Sequence, residues 1–308
     1  GGLPQPLLSV EKPRPRSLTD HHQGLLCAIL GVSVLVPDAT LLRLIHKPGT
    51  TAACWRLGLT GIVLCTVLTG IHGRGALGFP QKLGFWGAVI GMSMALSNLS
   101  FIFAVKSTSV ANVVLILATS PFWAAVLSRI FLGAAVPRRT LVAMPLVFGG
   151  VAVAVGPGIA GDRLRSGDLW ALLTAIMSAS RRTMTRAHSE IDMLPALAAA
   201  VVVTSVALVL CGSPTELSAG DVPPAVFLGA VCVPIAVVMN NRGARLLSSA
   251  ECSMIMCLET VFSPILASAV LGDALPSEVW LGMAVVVSTL VVHAAWPMLV
   301  HPGAEQPR

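Results

Sequence analysis

The sequence lacks tyrosine altogether and contains few charged residues. Of its 308 residues, 11% are Asp, Glu, Lys or Arg, whereas 55% are hydrophobic. A soluble globular domain carries about 25% charged residues, so a soluble protein of this composition would have too few polar groups to cover its surface. The scarcity of charge therefore excludes an ordinary soluble domain and indicates a chain that is covered by lipid.

Sequence motifs of several other protein classes are also missing. The seven cysteines form no Cys-x-x-Cys pair, and neither an HExxH motif nor a Walker A pattern is present. These absences argue against a disulfide framework, a zinc site and direct use of ATP. We therefore predict no cofactor and no bound metal, and we interpret the cysteines as small buried hydrophobic residues.

Long apolar runs occupy most of the sequence. A membrane-spanning helix needs about 20 mostly apolar residues. Runs of this kind predict spans at 23–42, 52–71, 84–104, 110–132, 140–158, 168–187, 194–212, 223–241, 248–271 and 279–299. The sixth span is the weakest, because Arg181 and Arg182 leave it only a short apolar run. The predicted fold is an all-α integral membrane protein with ten transmembrane helices.

The net charge of +6 comes from basic residues scattered between the apolar runs. This distribution is typical of the loops of membrane proteins and not of a nucleic-acid-binding surface. With the N-terminus in the cytoplasm, most of the 20 Lys and Arg residues fall on the cytoplasmic side. We therefore predict a bacterial inner (plasma) membrane protein with both termini cytoplasmic. Its expected partners are membrane lipid and a small-molecule solute, with no nucleic acid.

The two halves of the sequence resemble each other. Segments 107–133 and 246–272 match in length and pattern, and both end in Leu-Gly. Because each half contains an odd number of predicted spans, the second half enters the membrane from the opposite side. Such inverted repeats are common in secondary transporters. We predict a cytoplasmic tail at 1–21, five-helix repeats at 22–160 and 161–300, and a second cytoplasmic tail at 301–308.

A series of short motifs occurs in the same order in both halves. The second half contains Arg242-Gly243-Ala244, Ser248-Ser249-Ala250-Glu251, Leu258-Glu259-Thr260, Pro264 and Leu271-Gly272-Asp273. The first half contains Asn98, Ser120-Pro121-Phe122, Leu132-Gly133 and Gly149-Gly150-Val151. Together these motifs resemble the EamA-type transporters of the drug/metabolite transporter superfamily. The sequence departs from the family pattern at Ala134, where the family has an acidic residue, and at Thr260, where it has proline.

The resemblance implies ten helices in two inverted repeats and transport of small organic solutes, often export of amino acids or other metabolites. We therefore predict a secondary transporter that works by alternating access, and not an enzyme. One alternative is a lipid or drug/metabolite flippase of the same fold. A less supported alternative is an intramembrane serine hydrolase with Ser93 as nucleophile and His293 as base.

Ionisable residues inside the predicted spans are candidates for function. An ionised side chain at the centre of a bilayer costs about 2.5–3.5 kcal/mol, so it should face a cavity or a partner. Glu259 lies near the middle of the ninth span and is expected to contact the solute or to couple transport to protons. A structural acid bound to a neighbouring helix is the alternative. Asp38 and His293 are further candidates for coupling. The alternatives are a position at the membrane interface for Asp38 and a packing role for His293.

Polar, aromatic and proline residues within the spans complete the predicted substrate pathway. Its members are Asn98, Ser120, Pro121, Trp123, Asn240, Glu259 and Pro264. Pro121 and Pro264 each remove a backbone donor and are expected to interrupt equivalent helices. Asn98 could orient a charged group of the solute, and Trp123 could form an aromatic wall. The alternatives are static bends at the two prolines, an interhelical hydrogen bond for Asn98 and a lipid-facing position for Trp123.

Overall fold

The computed structural model describes residues 18–72, 84–108, 113, 116–133, 138–159, 166–211, 216–271 and 277–300. All regular secondary structure in these ranges is helical. The first half contains α1 (Leu18–Leu35), α2 (Asp38–Leu44), α3 (Gly49–His72), α4 (Gly84–Ser107), α5 (Ser120–Leu132) and α6 (Arg138–Ile159). The second half contains α7 (Ser166–Ala187), α8 (Leu194–Leu210), α9 (Val222–Val226), a π-helical segment (Phe227–Cys232), α10 (Val233–Leu246), α11 (Ser249–Leu271) and α12 (Ser277–Val300).

Each predicted span contains one helix or consecutive helices within the described ranges. Within the described ranges, five helical segments are long and apolar enough to cross a membrane: Thr19–Leu44, Gly49–Gly70, Gly84–Ser107, Val222–Leu246 and Ser249–Val270. Four apolar helical stretches are shorter: Ser120–Leu132, Leu141–Gly150, Leu194–Leu210 and Trp280–Thr289. The structure therefore supports a helical membrane protein, whereas the number of ten crossings stays a prediction.

The outer surface of the helices is strongly apolar. Large hydrophobic side chains point outward on helices of both halves, and Phe85 and Leu210 are 73% and 81% exposed. Continuous exposed apolar surface is rare on soluble monomers and is normal where lipid covers the protein. The buried core, by contrast, draws Leu57, Ile90 and Leu197 from both halves.

Two of the predicted spans are broken within the helix bundle. A turn at Val36 and Pro37 separates α1 from α2, although the apolar pattern predicts one continuous helix there. In the fourth span, a turn at Ala118 and Thr119 precedes α5, and Pro121 lies in the first turn of that helix. Proline is tolerated in a first turn because the N–H that it lacks would have no partner there. The expected interruption is absent at Pro264, because α11 continues through it.

The most extensive helix contacts join the two halves and are symmetric. Helix α4 packs on α7 and α10 packs on α1, while α3 pairs with α8 and α6 with α12. If the two halves are exchanged, the contact between α4 and α7 becomes the contact between α10 and α1. The α3–α8 and α6–α12 contacts each become themselves. The glycines of the exchanged pair are also equivalent: a Cβ at Gly24 would lie 2.8 Å from Leu246 Cβ, and one at Gly167 would lie 2.8 Å from Thr108 Cβ. The chain therefore consists of two repeats that pack mainly on each other.

At one end of the bundle, the loop after α2 is attached to the start of α9. The His46 backbone N–H donates to Asp221 Oδ1 at 3.0 Å, and the His46 ring Nδ1 lies 3.4 Å from the same oxygen. The backbone hydrogen bond from His46 is the main reason why the pKa of Asp221 lies below its usual value, and Ser218 contributes further hydrogen bonds. Asp221 thus links the first repeat to the second outside the membrane-spanning helices.

We expect Asp221→Asn to lower the unfolding temperature by a few degrees at neutral pH. The pKa of Asp221 is lower in the folded state than in the unfolded state. Its contribution to stability is therefore complete above the unfolded-state pKa of about 3.9 and is lost as the pH falls through the folded-state pKa. The difference between the wild type and Asp221→Asn should therefore be constant from about pH 5 to 8 and shrink below about pH 4. Thermal unfolding in detergent measures it, with the exposed Glu216→Gln as control. A difference that grows on acidification would contradict this role.

Candidate functional site

A cavity of about 140 Å³ lies between the two repeats. Helices α4 and α5 of the first repeat and α7, α10 and α11 of the second contribute to its wall. Apolar side chains such as Met94, Phe101, Val233 and Met256 form part of the lining. The polar and charged lining residues are Asp38, Arg56, Ser97, Asn98, Ser120, Thr174, Ser178, Arg181, Arg182, Asn240, Glu259 and Ser263. A mixed lining of this kind can bind a small solute that has both apolar and charged parts.

The helix breaks place polar residues at the cavity. Asp38 begins α2 directly after the break at Pro37, and Ser120 begins α5 directly after the turn at Thr119. Both residues are buried. Irregular backbone is tolerated at membrane depth where it is buried in protein or lines a cavity. The two breaks in the first repeat therefore lie where this principle expects them.

Asp38, Arg56 and Asn98 form a buried network on one side of the cavity. Arg56 Nη2 donates to Asp38 Oδ2 at 2.6 Å, and Arg56 Nε donates to Asp38 Oδ1 at 3.3 Å. Arg56 Nη1 donates to Asn98 Oδ1 at 2.6 Å. The guanidinium carbon also lies 6.0 Å from the centre of the Phe101 ring. The bidentate pair neutralises both charges, so this network is electrically balanced.

Two consecutive arginines of helix α7, Arg181 and Arg182, also line the cavity. Arg182 Nε donates to Ser253 Oγ at 2.8 Å, and Arg182 Nη2 donates to Ser178 Oγ at 3.2 Å. Arg181 is 9% exposed, and its buried Nε has no hydrogen-bond partner. Both hydrogen-bonded partners of Arg182 are neutral serines, so among the described residues no hydrogen-bonded carboxylate neutralises these two arginines.

Glu259 lines the cavity from α11 and lies among charges of both signs. It interacts electrostatically with Arg56 and Arg182, which attract it, and with Asp38, which repels it. Its side chain is partly accessible from the cavity. A carboxylate in this position can accept hydrogen bonds from a solute ammonium group or bind a proton.

The structure brings together five of the predicted site residues. Asp38, Asn98, Ser120, Asn240 and Glu259 all line the cavity. Asn240 is buried, and its Oδ1 has no hydrogen-bond partner. The functional roles assigned to these five residues stay predictions.

The other four predicted residues do not join this group. Pro121 and Trp123 lie in the first turn of α5 but are not among the lining residues. Trp123 contacts the neighbouring Phe122 ring, with 5.5 Å between the ring centres. Pro264 lies in α11 and His293 in α12, but their side chains lie outside the described part of the chain.

Arg56, Arg181 and Arg182 are the cavity residues that the sequence predictions missed. The sequence analysis names none of them as a site residue, yet all three are buried within α3 and α7. The signal that identifies them is the rule that an ionisable residue inside a predicted span marks a functional site. Applied to the weak sixth span, that rule interprets its two arginines as cavity residues.

The structure gives no support to a serine nucleophile at Ser93. The Ser93 hydroxyl donates to Val89 O at 2.9 Å within its own helix, and Ser93 is not among the residues that line the cavity. Within the described ranges, no group of His, Cys, Asp and Glu side chains is arranged to hold a metal ion.

Comparisons with known proteins identify the family. No curated protein matches the chain. One solved crystal structure superposes with a TM-score of 0.74 at 18% identity, covering 92% of this chain and 100% of that chain, and it shows the shared fold. The EamA-like transporter family matches residues 22–156 and 165–294, one segment in each repeat. The resemblance noted in the sequence is thus confirmed, and the chain belongs to the EamA-like transporter family.

Proposed function

We propose that this protein transports amino acids or related small metabolites across a membrane by alternating access. Its family consists of transporters of the drug/metabolite type, not of enzymes. Export is the proposed direction, and both termini are proposed to be cytoplasmic. The transported solute would occupy the cavity between the repeats and reach either side of the membrane as the repeats rock against each other.

One observation carries this proposal: the cavity lies between the two repeats and receives polar side chains from both. Asn98 and Ser120 come from the first repeat, and Asn240 and Glu259 come from the second. In transporters built from repeats, substrate sites lie at the repeat interface, and the repeats move around that fixed site. A cavity within a single repeat would not be exposed alternately by such a movement.

Glu259 is the residue of the proposed pathway whose replacement we expect to have a clear effect. In proteoliposomes preloaded with unlabelled amino acids, the wild type should take up the matching labelled amino acid by saturable counterflow. Glu259→Gln preserves the size of the side chain but removes its charge, and we expect about a tenfold or greater loss of initial rate. Glu278→Gln is the matched control, because Glu278 is exposed in the first turn of α12.

The counterflow panel also separates the proposed function from its alternatives. Saturable exchange that is lost in Glu259→Gln but retained in Glu278→Gln supports an amino-acid transporter. Movement of labelled phospholipid between leaflets without any solute exchange would favour the flippase instead. If a broad metabolite panel shows no flux, the proposed function is incorrect.

A further inference from the structure

The cavity contains more positive than negative charge. It is lined by three arginines and two acidic residues. Asp38 neutralises Arg56 through the two hydrogen bonds of their ion pair. Glu259 interacts electrostatically with Arg182. Of the three lining arginines, Arg181 is the one without a matching acidic residue in the lining.

Within the described ranges, Arg181 has no acidic side chain as an ion-pair partner. Its electrostatic neighbours are the like-charged Arg182 and the thiol of Cys252. A buried guanidinium N–H without an acceptor loses its hydration and gains no hydrogen bond in return, which is a costly arrangement. Such a group persists in a folded protein where function requires it or where a ligand supplies the missing acceptor.

The unpaired group lies at the cavity. Arg181 is one of the lining residues, nine-tenths buried, and its Nε is without a hydrogen-bond partner. Guanidinium groups bind carboxylates through two parallel N–H···O bonds, and Nε is one of the donors that take part. The apolar lining residues and the small volume fit a short organic acid better than a bulky anion.

We infer that Arg181 binds the carboxylate group of the transported solute. This inference rests on the proposed function and specifies the class of solute: a small molecule that carries a carboxylate, amino acids included. At the same cavity, Glu259 is an acceptor for a second, hydrogen-bond-donating group of that solute.

Ligand binding to the purified protein tests the inference without requiring transport. The probes are a panel of amino acids, the matching amino-acid amides, which lack the carboxylate, and the matching carboxylic acids, which lack the amine. Inorganic phosphate serves as a further anion. The readout is the rise in unfolding temperature in detergent as each probe is titrated. We expect carboxylate-bearing probes to stabilise the wild type and the amides to bind about 10- to 100-fold more weakly.

Variants of Arg181 distinguish a ligand-binding role from a structural one. Arg181→Gln should lose the preference for carboxylate over amide, whereas the unliganded variant should be at least as stable as the wild type, because an unpaired buried charge is removed. Arg181→Lys should retain part of the preference, since it keeps the charge but not the planar fork. Arg129→Gln is the matched control, because Arg129 is exposed near the end of α5.

Several results would overturn the inference. These are equal binding of amides and carboxylates, unchanged preference in Arg181→Gln, stabilisation by phosphate but by no carboxylate, or no stabilisation by any probe. The proposed transport function fails separately. Carboxylates that bind but show no counterflow would support the Arg181 site and contradict transport. Counterflow of solutes without a carboxylate would support transport and contradict the Arg181 site.

Discussion

Replacing Arg56 by leucine should destabilise the protein by about 3–5 kcal/mol. The substitution leaves the Asp38 carboxylate, which is 2% exposed, without its ion-pair partner. It also removes the donor at 2.6 Å from Asn98 Oδ1. Neither acceptor can turn to bulk water, so both desolvation costs remain uncompensated. A large fall in the unfolding temperature in detergent, with reduced yield of folded protein, is the expected measurement.

A double-mutant cycle shows whether this loss comes from the ion pair itself. Asp38→Leu alone should be nearly as harmful as Arg56→Leu, because it leaves the guanidinium with Asn98 as its remaining side-chain acceptor. The double variant should recover part of the stability, since both charges are then absent. Asn98→Ala should cost less, about 1.5–3 kcal/mol, because it removes one hydrogen bond to a charged group. Strictly additive losses at Asp38 and Arg56 would show that the two side chains do not interact.

The positions of the helices could be predicted well because they depend on the length of the apolar runs. Every predicted span contains a helix, and the family that matches the two halves was already suggested by the ordered motifs. The breaks were harder to locate. Pro37 and Pro121 lie at helix interruptions, whereas α11 continues through Pro264. A proline permits a break, but the packing of the neighbouring helices decides whether one occurs.

The cavity was only partly predictable, because it is formed by side chains that are distant in sequence. Polar residues deep in the spans, such as Asn98 and Glu259, were identified from the cost of burying them. Arg56 was not, because the apolar pattern places it near the start of its span and gives no indication of Asp38 as its partner. Only the packed structure shows that the break after α1 brings that carboxylate within 2.6 Å.

The repeat predicts which positions reach the cavity but not what chemistry they carry. Asp38 and Arg181 follow the equivalent glycines Gly24 and Gly167 at the same distance along the chain, and both line the cavity. One is acidic and the other basic. Ser120 and Glu259 occupy matching positions in the segments 107–133 and 246–272, and both also line the cavity. The symmetric backbone thus surrounds a cavity whose charged residues are asymmetric.

Helices α6 and α12 approach each other closely at Gly150, whereas the neighbouring Gly149 has open space around it. A Cβ at Gly150 would lie 2.9 Å from Val286 Cγ2, 3.0 Å from Val285 Cγ1 and 3.0 Å from Gly282 O. The last of these is a backbone atom, so α12 as a whole would have to shift. We expect Gly150→Ala to destabilise the protein by about 1–3 kcal/mol, the usual cost of overpacking a close contact.

Gly149→Ala is the matched control, since it makes the same chemical change one residue earlier. A Cβ at Gly149 would meet no atom within 4 Å. Alanine favours the helix over glycine by up to about 1 kcal/mol, so this variant should be as stable as the wild type or slightly more so. In thermal unfolding in the same detergent, Gly150→Ala should therefore lower the midpoint, whereas Gly149→Ala should leave it unchanged or raise it slightly. Equal effects of the two substitutions would mean that α6 and α12 do not approach each other as closely as the packing at Gly150 requires.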